Sequence, residues 1–229
     1  MKKSIFYLLL LVFSSCASQN SNTKVNADEF EKGIAASNPQ ILDVRTAGEY
    51  MSGHIKNSLQ ADWRDPAQFA DRISFMDKDK PVYVYCLGGG RSSAAAEWMR
   101  KNGFKSIIEL DGGMNAWRMA GKQVEGSSNE PQLRIEQYKA SIPTDKIVLV
   151  DFGATWCPPC VKMEPVLAQL KADKALSFTF IKIDAGIHTN LIKDLNVAGI
   201  PTFIVYKNGK EVFRKQGLST KEELAGQLK

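Results

Sequence analysis

Twice along the chain a short apolar run hands a cysteine to the start of a helical stretch. PVYVYC (81–86) leads through LGGGR into the alanine-rich SSAAAEWMRKNG (92–103), and KIVLVDF (146–152) leads through a short loop into WCPPC (156–160). Strands alternating with helices imply a parallel sheet with crossover helices, and in such α/β sheets ligand sites lie at the carboxyl ends of strands. Cys86 stands at such an end, and Cys157 follows a strand and opens a helix.

Each cysteine has its own set of neighbouring elements. Before the first, NADEFEKGI (26–34) reads as a helix with Asn or Asp at its start, and PQILDVR (39–45) as a strand ending in Asp43 and Arg45. Asn102-Gly103 stops the alanine-rich helix, and Ser106 to Leu110 forms another strand. GSSNEP (126–131) is small, polar and proline-terminated, with no apolar periodicity to build a core on. The pattern then restarts. Met163, Val166, Leu167 and Leu170 fall on one face of a helix that Pro165 should kink, followed by a strand at 177–184, a polar helical stretch to about Asn196, and a strand at 202–206. Asn208-Gly209 is a hairpin turn leading to EVF and a C-terminal helix, so this half reads β-α-β-α-β-β-α. A chain of 229 residues accommodates two domains, set at 26–125 and 133–229 with a linker at 126–132. No internal repeat relates them.

Thirty Lys and Arg against 25 Asp and Glu are spread along the chain, without the clustered basic stripe of a nucleic-acid binder. The four cysteines, Cys16, Cys86, Cys157 and Cys160, are too few for a disulfide scaffold. Residues 1–15 begin MKK and continue with nine apolar residues, Ile5 to Phe13: about half of a bilayer span, and a signal peptide by its basic start. Ser14 and Ser15 before Cys16 resemble a bacterial lipoprotein cleavage box, although Phe13 stands where leucine is usual. The resemblance implies lipidation at Cys16, a polar tether over 16–25, and a periplasm-facing location in the cell envelope.

CLGGGRS matches neither the Walker A spacing nor a dinucleotide fingerprint. What remains is a thiol nucleophile whose pKa is lowered by loop N–H groups and by the helix start, with Arg91 as a fork of donors for an oxyanion. Cysteine-dependent phosphatases place five residues between Cys and Arg; here there are four, and the smaller ring suits a persulfide. With ILDVRTAGEYMSGHIKNS and LDGGMNAW (110–117), the pattern Cys-x-x-Gly-x-Arg-Ser resembles the rhodanese-like sulfurtransferases over about 26–123. That resemblance implies ping-pong sulfur transfer. The Cys86 thiolate takes a sulfane sulfur from a donor such as thiosulfate or a persulfide, and Leu87, Gly88, Gly89, Gly90 and Ser92 hold the persulfide. Arg91 binds the donor's anionic part. Asp43 and Arg45 brace the loop, His54 is a structural histidine, and Trp117 fills the core.

In WCPPC, Cys157 falls at the exposed helix N-terminus and Cys160 one turn inward, so the first attacks a disulfide and the second resolves the mixed intermediate. Haem attachment would need His where Val161 stands, and structural zinc a second ligand pair. This half is similar to thioredoxin-like proteins across nearly all of 133–229, on Asp151, WCPPC, Pro165, Lys182, Ile200-Pro201-Thr202 and Gly217. The resemblance implies a cis-Pro201 beside Ile200 that receives a bound chain, and a buried Asp151, paired with Lys182, that moves protons for Cys160. Gly153 where tryptophan is common, and Pro158 in place of glycine, leave reductant or oxidant open.

The expected fold is therefore α/β in two domains: a rhodanese-like parallel sheet with flanking helices, then a thioredoxin fold with a mixed central sheet. The expected activity is sulfurtransfer joined to thiol–disulfide exchange, with no metal or cofactor. Partners are a small sulfur donor, protein thiols or disulfides, a membrane reductant and a lipid anchor. The alternative is a disulfide reductase whose first domain only binds clients.

Overall fold

The computed structural model describes residues 23–36, 39–126 and 131–229. The leader, Cys16 and residues 127–130 of the linker lie outside the described residues. In the first domain the order is β1 (Thr23–Val25), α1 (Ala27–Ala36), β2 (Gln40–Asp43), α2 (Ala47–Met51), β3 (Leu59–Gln60), α3 (Pro66–Ile73), β4 (Val82–Tyr85), α4 (Gly90–Lys101), β5 (Ile107–Leu110) and α5 (Gly113–Met119). The sheet runs β1-β5-β4-β2-β3 with every pair parallel.

Alternation along the strands divides their side chains between two layers. Leu42, Val82, Val84 and Ile107 pack with Phe69 and Ile73 of α3 and with Ala95, Ala96 and Met99 of α4. Ile41, Tyr85 and Leu110 face Phe30 of α1 and Met114 and Trp117 of α5. One step beyond β4, Cys86 falls on the α4 layer, beneath the start of that helix. The asparagine start of α1 is a reciprocal cap: Glu29 N–H donates to Asn26 Oδ1 and Asn26 N–H to the Glu29 carboxylate.

Part of the expected tether is sheet. Thr23–Val25 pairs with Ile108–Leu110, and three residues are too few to show alternation in a sequence. Two helices not foreseen also carry local signals. Thr46 and Glu49 form a capping box on α2, and Asp65 caps α3 with Pro66 at its first turn.

The second domain adds α6 (Ile135–Ala140), β6 (Val148–Gly153), α7 (Pro158–Ala172), β7 (Thr179–Asp184), α8 (Thr189–Asp194), β8 (Thr202–Lys207), β9 (Lys210–Gln216) and α9 (Lys221–Gln227). The sheet runs β7-β6-β8-β9, with β7 parallel to β6 and the other pairs antiparallel. Every residue of β6 is buried, as a central strand covered on both faces requires. Asn208 and Gly209 both take positive φ (53° and 72°), the geometry a two-residue hairpin turn needs. Pro165 lies within α7, which continues to Ala172. The unforeseen α6 has six residues, too short for a periodic signal, and is anchored by buried Tyr138, whose hydroxyl donates to that of Tyr206 at 3.0 Å.

Candidate active sites

The first site is the loop after β4. Burial pushes the Cys86 thiol up, but the Ser92 hydroxyl and the N–H groups of Ser92, Gly88 and Gly89 outweigh it and hold the thiol below its ordinary value. Gly89 N–H donates to Cys86 Sγ at 3.1 Å and the Ser92 hydroxyl at 3.4 Å. The loop's outer side faces solvent at Leu87, Gly88 and Gly90, whereas Cys86 and Ser92 are buried. Gly89 takes φ +98° as it starts α4.

The loop rests on α5, which explains why LDGGMNAW accompanies it. Met114 N–H donates to the Cys86 carbonyl and Asn115 N–H to the Leu87 carbonyl, at 2.8 and 3.0 Å. A β-carbon on Gly113 would lie 2.5 Å from Cys86 O and 2.9 Å from Leu87 C, so only glycine admits this approach. Trp117 is buried, its indole N–H on the Gln123 carbonyl.

Arg91 reaches across to α2. Both terminal nitrogens donate to the Glu49 carboxylate on α2, at 2.8 and 2.7 Å. Arg91 holds the Glu49 carboxyl down at about 2 against the effect of burial, helped by the Thr46 cap. Glu49 was visible within the resemblance stretch, but its role depends on α2 and the loop meeting in space.

Asp43 and Arg45 are fully buried and bidentate: Arg45 Nε donates to Oδ1 at 2.9 Å and Nη2 to Oδ2 at 2.6 Å. Arg45 also lies over the ring of Tyr85, the residue before Cys86, 5.7 Å from its centroid. Arg45 Nη2 donates to the Gly53 carbonyl, and the Arg45 carbonyl accepts from Gln60 Nε2, so the pair also organises 53–60. His54 is structural as expected. Its ring stacks on Tyr50 with centroids 3.7 Å apart, its Nδ1 lies 3.0 Å from the Tyr50 carbonyl, and burial holds its pKa down.

The second site is the dithiol. Cys157 caps α7 and is joined to Cys160 as a disulfide, with Cα atoms 5.2 Å apart. The Ile200–Pro201 bond is cis, and Cys157 Sγ lies 3.7 Å from the Ile200 carbonyl oxygen. Asp151 is buried, and burial raises its carboxyl to about 6, with Lys182 opposing. The expected Asp151–Lys182 pair is absent among the described residues: the two are neighbours in register, but the Lys182 ammonium pairs with Glu164. A β-carbon on Gly153 would lie 3.3 Å from Asp151 Oδ1 and 3.7 Å from Cys160 Cβ. Glycine there leaves the carboxylate and the cysteine without a side chain between them.

Cys157 is not exposed: its relative exposure is 0%, and that of Cys160 is 6%. The cover comes from the first domain. Tyr50, Ala47 and Met51 of α2 pack in one cluster with Trp156, Cys157 and Cys160. Gln60, on edge strand β3, donates its outward N–H to the Trp156 carbonyl at 2.8 Å. The Arg72 guanidinium lies 5.3 Å from the Trp156 ring centroid and donates to the Gln60 side-chain and main-chain oxygens. A cavity of about 460 Å³ remains beside Ile200, walled by Asp65, Gln68 and Asp71 on one side and by Gly199 and Gln216 on the other. None of Tyr50, Gln60 or Arg72 was expected at a site, because no local pattern marks a residue that acts across a domain boundary.

Comparison with known proteins agrees with this division. The rhodanese-like domain profile matches residues 26–120 and the thioredoxin profile residues 130–229. A thioredoxin of Mycobacterium bovis is 36% identical over 107 residues, covering 44% of this chain and 92% of its own length. Thioredoxin H2 of Arabidopsis thaliana is 39% identical over 98 residues, covering 43% and 70%. A rhodanese-like domain protein from Staphylococcus aureus is 30% identical with a TM-score of 0.40, covering 46% of this chain and 99% of that one. A rhodanese-related protein from Thermoplasma volcanium is 29% identical with a TM-score of 0.41, covering 45% and 97%. The chain thus belongs to the thioredoxin family through its second domain and carries a rhodanese-like domain as its first, a pairing that supports sulfurtransferase and thiol–disulfide oxidoreductase activity.

Proposed function

We propose that the dithiol of the second domain reduces the persulfide formed on the first, in an exported protein held to the cell envelope by lipid at Cys16. The observation that carries this reading is the cover over the dithiol. The face through which Cys157 would meet a protein disulfide is occupied by α2, β3 and α3 of the same chain. The five-residue α2, about 7.5 Å long, serves both centres: Glu49 holds Arg91 of the Cys86 loop, while Ala47, Tyr50 and Met51 pack against the dithiol.

The Cys86 thiolate takes a sulfur atom from a donor and releases the donor's leaving group. The Cys157 thiolate attacks the outer sulfur of the Cys86 persulfide, freeing the Cys86 thiolate and becoming a persulfide itself. Cys160, its proton taken by Asp151, attacks Cys157 Sγ, expels hydrosulfide and closes the disulfide. Two electrons pass from the dithiol to the transferred sulfur. A membrane dithiol reductant returns them.

The test is sulfide release from the reduced full chain given a persulfide donor, with no thiol added beyond the one the donor leaves behind. Cys157→Ser should lower release by more than about 100-fold and leave Cys86 one sulfur atom heavier in the mass spectrum. Unchanged release would remove the coupling. The alternative, a first domain that only binds clients, draws on Arg91 being tied to Glu49; it requires that Cys86 gain no sulfur from any donor.

A further inference from the structure

The Cys86 site presents its arginine already neutralised. The terminal fork of Arg91 is spent on Glu49, which is itself fixed by Thr46: Thr46 N–H and Oγ1 both donate to Glu49 Oε2 at 3.0 Å, and Glu49 N–H donates to Thr46 Oγ1. The pair is partly sheltered, with side chains 23% and 29% exposed. The charge of Asp62 also reaches Arg91, and Asp62 has its own partner in Arg64. Arg91 is matched by Glu49 and Arg64 by Asp62, so among these groups the Cys86 thiolate is left as the unbalanced charge. Leu87, an exposed apolar side chain, stands at the same loop.

A doubly charged oxyanion donor gains from a free guanidinium fork and from a positive mouth. Here it meets a carboxylate already in the fork. To bind Arg91 end-on it must displace Glu49 or lie against it, and each costs Coulomb energy in a site only partly open to water. An organic persulfide makes no such demand: its leaving group is a thiolate, its sulfane sulfur needs only the Cys86 thiolate and the amide ring, and its carbon part can lie on Leu87. We propose that Glu49 is a specificity-determining residue which, by occupying Arg91, selects organic persulfides over thiosulfate as the sulfur donor of Cys86. This rests on Cys86 being a sulfur carrier. In the transfer the donor RS–SH gives its outer sulfur to the Cys86 thiolate and leaves as RS⁻, with no net oxidation.

The test measures kcat and KM for sulfur loading of the full chain with thiosulfate and with cysteine persulfide, in wild type and Glu49→Gln. Wild type should favour the persulfide by at least about tenfold in kcat/KM. Glu49→Gln should raise the thiosulfate-to-persulfide ratio by about tenfold or more. The rise should fall on the KM for thiosulfate, which a merely structural loss at the α2 cap would not lower. A ratio that stays put or falls in the variant overturns the assignment, as does a wild type that takes both donors equally. If the variant does not fold, the salt dependence of the wild type decides. With Arg91 paired, thiosulfate kcat/KM should stay level or rise between roughly 0.01 and 0.15 M salt, whereas a steep fall marks an unneutralised cation and overturns the assignment. A chain whose Cys86 accepts sulfur from neither donor defeats the carrier reading itself, a result distinct from loss of selectivity.

Discussion

Cys86 and Cys157 are both buried sulfur atoms at the start of a helix, yet they are kept in opposite ways. Cys86 is served by its own loop: amides of Gly88, Gly89 and Ser92 and the Ser92 hydroxyl favour its thiolate, and the loop rests on α5 a short distance along the same domain. Cys157 is enclosed by another domain, through Tyr50, Gln60 and Arg72. The first arrangement tunes how reactive a sulfur is. The second governs what it can meet. A thioredoxin fold whose client face is filled from within its own chain is suited to one intramolecular client, because tethering raises the effective concentration of that client far above that of free proteins.

The sharpest way to break the loop side of this contrast is Gly113→Ala. The added carbon would collide with Cys86 O and Leu87 C at a residue whose φ is +57°, so a loss of about 3 kcal/mol or more and failure of Cys86 to load sulfur are expected. Gly88→Ala, with only Asn115 Nδ2 at 3.9 Å, should cost less than about 1 kcal/mol. Denaturant melts of the two variants check both values.

Asp151 offers the corresponding test within the dithiol. Its folded pKa of about 6 lies above the ordinary 3.8, so folding favours its protonated form. The stability this contributes is full below about pH 4 and is lost as pH rises through 6, leaving a buried charge that is a liability at pH 8. Asp151→Asn should therefore stabilise the chain by about 2 kcal/mol at pH 8 and by almost nothing at pH 4. It should also slow disulfide closure, removing an inflection near pH 6 from the rate. A gain independent of pH would contradict the assignment.

Opening the cover is the next smaller effect. Arg72→Ala removes the cation over Trp156 and the donor to Gln60. Alkylation of Cys157 in the reduced protein and reduction of insulin by the full chain should each rise about tenfold, while persulfide-dependent sulfide release falls. Smallest is Ser92→Ala. With one donor to Sγ gone the Cys86 thiol pKa rises, and its alkylation at pH 7 should slow by about threefold.

What was legible in the sequence follows the same contrast. The cysteine loop, the dithiol, the Asn102-Gly103 stop and the Asn208-Gly209 turn are determined by neighbours within a few residues, and spacing or a local resemblance exposes them. Glu49 and Gly113 lay inside recognisable stretches, but what each touches depends on α2 and α5 reaching the loop. Lys182 sits in register with Asp151 yet turns to Glu164, a choice made by the helix packed nearby. Tyr50, Gln60 and Arg72 carry no sequence signal for their part in the interface, since an edge N–H and an arginine over a tryptophan acquire meaning only when two domains meet. The capping box from Thr46 to Glu49 and the Asp65-Pro66 helix start were readable signs of α2 and α3, two helices that take part in that contact.

The most direct test of the account is a single turnover in the reduced full chain. After removal of excess reductant, one equivalent of persulfide donor is added, and sulfide release and Cys157–Cys160 disulfide formation are followed at several protein concentrations. Loading of Cys86 followed by a first-order rate independent of protein concentration is the predicted result. A rate that rises in proportion to protein, or sulfide released without the disulfide, would mean that the two sulfur centres of one chain do not react with each other.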